Sequence, residues 1–362
     1  MIKNIFYSLV VKRIEKLTKD SINISFDVPE NLREIFNFES GQHLTLKLDI
    51  KGKEHRRNYS LCTSPTENEW SIIIKKVDGG VFSHFAFNNF KVGDTVEVLP
   101  PMGKFCFLVD FKAGETHKNI VLIAAGSGIT PIMSMLKYGL YKYPNIHFTL
   151  IYQNRHYNSI ILNNEIQKLK NKHVNNLSVH HILSKEKIDG NINSGRLDSD
   201  KMTLIFTKLI PLPMVSDVFI CGPLEMIESV KEYLTLNNVD SKNIHYELFT
   251  AKDALINKEV IKEKSEISGN QSSISITIDG QTHQFTTTNL HNNILDEALE
   301  HSVGLPYACK GGVCCTCKAK LEEGKVEMLT NFGLEPDEIA NNYVLTCQCL
   351  PLTEKVVLNF DA

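Results

Sequence analysis

Cys309, Cys314 and Cys317 follow one another as C-x4-C-x2-C near the end of the chain, and Cys347 comes later within Leu-Thr-Cys-Gln. Thiolates are soft ligands that suit iron and sulfide, and four of them at this spacing hold a [2Fe–2S] cluster. Three can come from one tight loop, and the fourth returns from elsewhere. Gly311 and Gly312 lie inside that loop, where the backbone must bend closely around an inorganic core. The competing readings are a group of buried free cysteines, or a zinc site, which more often pairs two C-x2-C or C-x2-H units. The chemistry expected is the carriage of single electrons. Cys315 and Cys349 are extra thiols beside these positions. On a strand Cys347 and Cys349 share a face, so spacing alone does not choose between them. Cys315, next to Cys314, is expected to point away from the iron.

Three further motifs handle phosphates and rings. Arg57-Asn58-Tyr59-Ser60 stands after a strand and before a turn. An arginine there can neutralise a flavin pyrophosphate, a tyrosine can lie against the isoalloxazine, and a serine can hydrogen-bond near its reactive nitrogen. A surface arginine beside a strand tyrosine is the plain alternative. Gly79-Gly80-Val81-Phe82-Ser83 offers amides and a hydroxyl to phosphate oxygens, or is an ordinary hairpin turn. Gly126-Ser127-Gly128-Ile129-Thr130-Pro131 follows an apolar run and opens a helix; its glycines permit a tight turn, and Pro131 suits a first helical position. Alone the pattern is only suggestive; its strand–turn–helix setting predicts a dinucleotide phosphate site. Cys221-Gly222-Pro223 ends another strand, so both loops face one crevice; Cys221 sits beside a nicotinamide, or is a small core residue.

The elements that must position these residues fall into three textures. Ile22–Val28, His43–Ile50, Trp70–Val77 and Thr95–Leu99 are short β-like runs, which predicts a small antiparallel barrel or sandwich over 1–112. Over 113–249 strands (Ile120–Ala125, Phe148–Gln153, Leu177–Ile182, Val218–Cys221, Ile244–Phe249) alternate with helices (Pro131–Tyr141, Asn163–Asn171, Leu224–Leu236), the pattern of a doubly wound parallel sheet. Residues 250–272 are polar and rich in lysine and glutamate, a linker whose Ala251–Glu266 stretch contains good helix formers. In 273–362, Ile274–Ile278 and Thr282–Thr287 flank Asp279-Gly280, a hairpin signal, and a helix at Ile294–His301 leads into the cysteine loop. That suits a small α+β module of β-grasp type.

Composition sets the bounds. The chain has 362 residues, 22% charged and 42% hydrophobic, which describes an ordinary globular protein of two or three domains. Its nine cysteines crowd mainly into 309–317 and 347–349, unlike a disulfide framework. Thiolates kept for iron belong in a reducing compartment, and no secretory signal or membrane-length apolar run stands in the sequence, so the cytoplasm is the expected location. From Gln271 onward twelve Asp/Glu face five Lys/Arg, a balance of −7, leaving +4 for the rest of a chain whose total is −3. That asymmetry suggests docking of an acidic module on a basic body, or simply a soluble module. No nucleic-acid footprint is present.

Taken in order, Arg57–Ser60 with Leu61-Cys62-Thr63-Ser64-Pro65, Gly126–Pro131, Tyr152-Gln153-Asn154-Arg155, Cys221-Gly222-Pro223 and Pro306-Tyr307-Ala308-Cys309 resemble the ferredoxin-NADP reductase superfamily with a plant-type [2Fe–2S] ferredoxin domain at the C-terminus. The resemblance covers essentially the whole chain. Within the superfamily it runs to the reductase components of phenylacetyl-CoA epoxidase systems, with steroid-hydroxylase reductases sharing domain order and motifs. It implies an FAD-binding six-stranded barrel, an NAD(P)-binding α/β domain and a ferredoxin domain. It places the flavin on Arg57, Asn58, Tyr59, Ser60, Lys75, Val77, Gly79, Gly80, Val81 and Ser83. The dinucleotide is placed on Gly126, Gly128, Thr130, Pro131, Cys221, Gly222 and Pro223. Ser60, Thr130, Cys221 and Glu247 are the catalytic set, where nicotinamide meets flavin. Cys309, Cys314, Cys317 and Cys347 are the iron ligands, the family's Leu-Thr-Cys pattern favouring Cys347 over Cys349.

Cofactor choice follows from charge. NAD sites offer an acid to the ribose hydroxyls, whereas a 2′-phosphate is met by basic groups. The Phe148–Gln153 strand ends in Asn154-Arg155, and Ser184-Lys185 follows the next strand, which favours NADPH over NADH. The expected activity is transfer of electrons from NADPH through FAD and the cluster to an oxygenase component, by the resemblance the phenylacetyl-CoA epoxidase. A ring-hydroxylating or steroid oxygenase as acceptor, and a redox-sensing interaction subunit, are the alternatives.

Overall fold

A computed structural model describes residues 5–109, 111, 118–186, 191–249 and 271–362. The expected linker, including its candidate helix, lies outside the described residues apart from its last two. The chain forms two compact units, 1–249 and 250–362.

In the first unit, β1 (Tyr7–Thr18), β2 (Ser21–Asp27), β3 (His43–Ile50), β4 (Lys53–Ser60), β5 (Trp70–Lys75) and β6 (Thr95–Val98) make an antiparallel sheet in the order β4-β3-β6-β1-β2-β5. A bridge between Leu61 and Ile72, with the Cys62 N–H donating to Ser71 O at 2.9 Å, joins its two ends into a barrel. Alternation sorts the side chains. Ile22, Ile24 and Phe26, Leu44 and Leu46, and Trp70, Ile72 and Ile74 fill the barrel. Ile73, between two of these, turns outward and joins Phe105, Phe107 and Phe219 in the neighbouring α/β core. Burying apolar surface on both faces of one strand is what welds barrel and α/β layer into a single unit.

Beyond Gly79 and Gly80 the chain forms no hairpin; it starts helix α1 (Val81–Asn89) with Gly80 as its N-cap. Phe82 and Ala86 of that helix are driven into the barrel core, a tertiary gain that the glycine pair did not announce. Strand β5 also stops at Lys75, two residues short of the expected Val77.

The α/β layer follows as β7 (Asn119–Ala125), α2 (Ile129–Lys142), β8 (His147–Asn154), α3 (Asn163–Lys172), β9 (Leu177–Leu183), α4 (Ser199–Lys208), β10 (Val215–Gly222), α5 (Leu224–Leu236) and β11 (Ile244–Leu248). Its five strands are parallel in the order β11-β10-β7-β8-β9, so the winding reverses between β7 and β10. Ligands of such sheets bind outside the carboxyl ends of the strands at that reversal. Helix α2 starts two residues earlier than expected, after a 3-10 turn at Gly126–Gly128, so Pro131 is its third residue and not its first. A proline is tolerated there because the amides of a first turn have no carbonyl to meet. Helix α4 was not expected; Asp198 caps it by accepting from the Lys201 N–H at 2.9 Å.

The second unit is α+β. Its five-stranded sheet runs β13-β12-β18-β14-β16, where β12 is Ser272–Ile278, β13 Gln281–Thr287, β14 Lys318–Glu323, β16 Tyr343–Leu345 and β18 Lys355–Asn359. The Asp279-Gly280 hairpin forms as expected, its two N–H groups donating to the Asp361 carboxylate at 2.9 Å each. Helix α6 (Ile294–Glu300) packs Ile294, Leu295 and Ala298 on the sheet, and Asn293 caps it. A second short helix, α7, spans Pro336–Ala340, and β15 (Val326–Met328) pairs with β17 (Cys349–Pro351). Among the described residues no helix is long and apolar enough to cross a membrane.

Candidate functional site

The loop after β7 and the end of β10 are pressed together backbone to backbone. A methyl group on Gly128 would lie 2.1 Å from Cys221 O and 3.1 Å from Gly222 N, and one on Gly222 would meet the side chains of Met226 and Ala125. Only glycines fit. Gly126 adopts φ +54°, and its carbonyl accepts from the buried Tyr152 hydroxyl at 2.8 Å, so β8 pins the turn that β7 begins. Thr130 is buried, and its Oγ1 donates to Ser127 O at 3.0 Å. Cys221 is fully buried, which pushes its thiol well above the ordinary cysteine range, with the neighbouring Glu247 adding to the shift. Pro223 precedes α5 as its N-cap.

The barrel meets this crevice through β4 and β5. Register pairs His43 with Ser60, Leu44 with Tyr59 and Thr45 with Asn58. Leu44 faces the barrel core, so Tyr59 faces with it and lies 5.7 Å from Phe82 ring to ring, while His43, Thr45, Asn58 and Ser60 share the other face. Ser60 Oγ donates to Glu247 Oε2 at 3.4 Å, joining β4 to β11. Burial raises the Glu247 carboxyl from its ordinary 4.5 to about 8, the Ser60 hydrogen bond opposing. Arg57, paired with Leu46 and so alternating with Asn58 and Ser60, is exposed, its Nη1 donating to Arg56 O. Lys75 stands near the loop after β7: its Nζ is 3.8 Å from where a Gly126 Cβ would sit, and 3.9 Å from Asp20. The sequence had placed Lys75 with the flavin motif alone.

At the start of α1, Ser83 Oγ accepts from the Val77 N–H at 3.1 Å and donates to Gly80 O at 3.2 Å. Gly79 adopts φ +73°. Val77 and Val81 are each 51% exposed on either side, an apolar rim around the first amides of the helix. A ligand with an apolar ring and a phosphate suits that pair of surfaces. Across the sheet, Ser184 N–H donates to Asn154 O and Lys185 N–H to Arg155 O, which sets the exposed Arg155 and Lys185 side by side. Glu186 beside them is occupied by His156 at 3.3 Å and by the Tyr157 N–H at 3.1 Å.

In the second unit, the expected iron ligands form two thiol pairs. Cys309 hydrogen-bonds with Cys314, and Cys317 with Cys347; within each pair one thiol is drawn below the ordinary cysteine range and its partner is pushed above it. The Gly311 N–H donates to Cys309 Sγ at 3.3 Å and Thr316 Oγ1 to Cys314 Sγ at 3.2 Å. Gln348 Nε2 reaches Cys347 Sγ at 3.7 Å. Among the described residues no three His, Cys, Asp or Glu side chains converge as they would on one metal ion. Four cysteines grouped in two thiol pairs are a donor set that suits a diiron cluster.

Thr346–Gln348 is a 3-10 turn and β17 begins only at Cys349, so the alternation expected for Cys347 and Cys349 does not apply. Cys349 is fully buried in the apolar core, and burial raises its thiol, whereas Cys347 joins the Cys317 pair. Cys315 adopts φ +53° and packs against Gly333, where an added methyl would lie 2.6 Å from its Sγ. His43 belonged to none of the sequence motifs. Its only signal was register: a strand ending in Ser60 must pair with something, and the pairing residue shares its face.

Comparisons with known proteins cover the same ground. Residues 8–107 match the oxidoreductase FAD-binding domain, 122–232 the oxidoreductase NAD-binding domain, and 276–352 the 2Fe-2S iron-sulfur cluster binding domain. The chain is 39% identical over 357 residues to one of the subunits of the 1,2-phenylacetyl-CoA epoxidase of Escherichia coli K12, covering 99% of this chain and 98% of that protein. It is 30% identical to the ferredoxin reductase component of the 3-ketosteroid-9-alpha-monooxygenase of Rhodococcus rhodochrous, covering 97% and 96%. The crystal structure of phthalate dioxygenase reductase superposes with a TM-score of 0.61 at 21% identity, covering 98% of each chain.

Proposed function

The chain belongs to the family of NAD(P)H-dependent flavin iron–sulfur reductases that includes this component of the 1,2-phenylacetyl-CoA epoxidase, and from that premise we propose that it carries electrons from NADPH to the oxygenase component of a phenylacetyl-CoA epoxidase. Identity of 39% along nearly the full length of both chains is the observation that carries this choice of acceptor. Cysteines grouped for iron suit a reducing compartment, and the cytoplasm is the location proposed.

Bound FAD supplies the exchange between a two-electron hydride and single electrons, which a [2Fe–2S] cluster carries one at a time. The residues of the chain do the positioning. Arg57 opposes the pyrophosphate charge, and Asn58, Tyr59, Lys75, Val77, Gly79, Gly80, Val81 and Ser83 complete the flavin cradle. Gly126, Gly128, Pro131, Gly222 and Pro223 leave room for the dinucleotide. Thr130 braces the turn and Cys221, kept as a neutral thiol by burial, presents a small surface to the nicotinamide. Ser60 Oγ would relay a proton between Glu247 Oε2 and the reacting atoms, accepting one as it gives up its own so that it stays a neutral hydroxyl, and the carboxyl, held near 8, can both accept and release a proton around neutral pH. Gly311, Thr316 and Gln348 donate to the ligand sulfurs and stabilise their negative charge. Arg155, Ser184 and Lys185 meet the 2′-phosphate that distinguishes NADPH from NADH.

Reconstitution tests the acceptor. The protein is combined with the oxygenase component of a phenylacetyl-CoA epoxidase or with a 3-ketosteroid 9α-oxygenase, and turnover is followed with NADPH and NADH in turn. Oxygenation of phenylacetyl-CoA with NADPH is expected; turnover only with the steroid system would reassign the acceptor, and a preference for NADH would reassign the donor.

A further inference from the structure

Behind Ser60 and Glu247 lies a buried polar chain that the proton exchange between them does not itself use. His43 is 4% exposed, and its ring is held by a hydrogen bond at one nitrogen. Nε2 accepts from Asn58 Nδ2 at 3.0 Å, and Asn58 Oδ1 in turn accepts from the fully buried Thr45 Oγ1 at 2.8 Å. With Nε2 accepting, the ring proton sits on Nδ1. Nδ1 stands 4.0 Å from Glu247 Oε1, while Ser60 engages Oε2 of the same carboxyl. Gly103 makes the space: at φ +127° it has no side chain, and a Cβ there would lie 3.0 Å from Nδ1.

We propose that His43 is a positioning residue for Glu247, presenting its Nδ1–H to Oε1 so that the ionised carboxylate is held with Oε2 toward Ser60. The contact is not an ion pair at neutral pH. Burial lowers His43 to about 4 and raises Glu247 to about 8, so both are uncharged there. When Glu247 gives up its proton, Nδ1–H becomes the donor that meets the new charge, and its approach is guided by Asn58 and Thr45. Among the described residues, Cys221 from β10 and Cys106 from the segment after β6 also feel the charge of Glu247; both are raised by burial and neutral at pH 7, and Glu39 acts on Cys106 as well. Neither thiol brings a charge or a strong donor to Oε1. The inference rests on the reading of Ser60 and Glu247 as the proton-handling pair.

The test exploits the two ends of the ring. An asparagine places its amide N–H where Nδ1 was, and a glutamine places its amide where Nε2 was, so H43N keeps the donor to Glu247 and H43Q loses it. The full-length protein without flavin is titrated by difference infrared spectroscopy against E247Q, which identifies the Glu247 carboxyl band. The pH profile of NADPH-to-flavin electron transfer is then measured on the loaded protein. H43Q is expected to raise the Glu247 midpoint by about one pH unit, and so to slow transfer about tenfold at pH 7 with recovery at high pH; H43N is expected to stay near wild type. Equal midpoints in H43Q, H43N and wild type would overturn the role of His43. If E247Q itself leaves the pH profile unchanged, the proton role of Glu247 falls, and His43 falls with it. If H43N and H43Q shift the midpoint equally, the ring matters only as filler and the inference is overturned.

Discussion

Gly128→Ala tests how closely the loop after β7 and the end of β10 are pressed together. Gly128 has φ −61°, a conformation any residue adopts, so the substitution costs nothing in backbone preference. Its cost is steric. The new methyl would lie 2.1 Å from Cys221 O and 2.6 Å from Cys221 C, both backbone atoms in the middle of a parallel sheet. Comfortable heavy-atom contact is about 3.5 Å, so the loop after β7 and the end of β10 must part by more than about 1 Å. Overpacking of this kind costs about 1–3 kcal/mol where side chains can yield, and a backbone that is hydrogen-bonded on both sides yields less, so a loss near 3 kcal/mol is expected. That is roughly a hundredfold in the folding equilibrium. Gly126→Ala is the control: it strains φ +54° by about 1–2 kcal/mol, but its nearest neighbour is the flexible tip of Lys75 at 3.8 Å. Trp70, the only tryptophan, sits in the barrel, so urea unfolding followed by its fluorescence reports the first unit by itself. The order expected is wild type, Gly126→Ala, Gly128→Ala, with affinity for the nicotinamide dinucleotide lost most in the last. A Gly128→Ala protein within about 0.5 kcal/mol of wild type would refute the close backbone contact.

Three more expectations follow from the same geometry. Cys347→Ser should abolish the visible absorption and the iron content of the second unit, while Cys349→Ser and Cys315→Ser retain both; equal loss in Cys349→Ser would contradict the pairing of Cys317 with Cys347. Glu247 is raised above its unfolded value, so its contribution to stability is full below about pH 4.5 and is lost as the pH climbs through about 8. E247Q should remove a difference on the order of 5 kcal/mol across that window, measured as the urea midpoint of Trp70 fluorescence at several pH values; parallel curves for the two proteins would show that the carboxyl is not shifted. Arg155→Ala combined with Lys185→Ala should raise KM for NADPH about tenfold or more and leave NADH nearly unchanged, and steady-state kinetics with both donors would expose a general loss instead.

Much of this protein is legible without coordinates because the cofactor chemistry is local. Cys309, Cys314 and Cys317 lie in one loop, Gly126 and Gly128 in one turn, and Arg57 to Ser60 in one strand, so sequence spacing and spatial spacing nearly coincide. The strand–helix alternation from Ile120 to Phe249 likewise writes its periodicity into the chain. What needed the folded structure are relations between segments far apart in sequence. Residues 60 and 247 meet only because β4 and β11 belong to different layers of one unit, and His43 joins them only through the register of β3 on β4. Cys347 lies in a 3-10 turn where alternation had implied a strand, so Cys347 and Cys349 are not two residues of one strand, and α1 arose at Gly80 because Phe82 and Ala86 gain burial in the barrel. Local motifs are made by neighbouring residues of the chain; contacts such as Ser60 with Glu247 are made by elements whose meeting only tertiary burial can enforce.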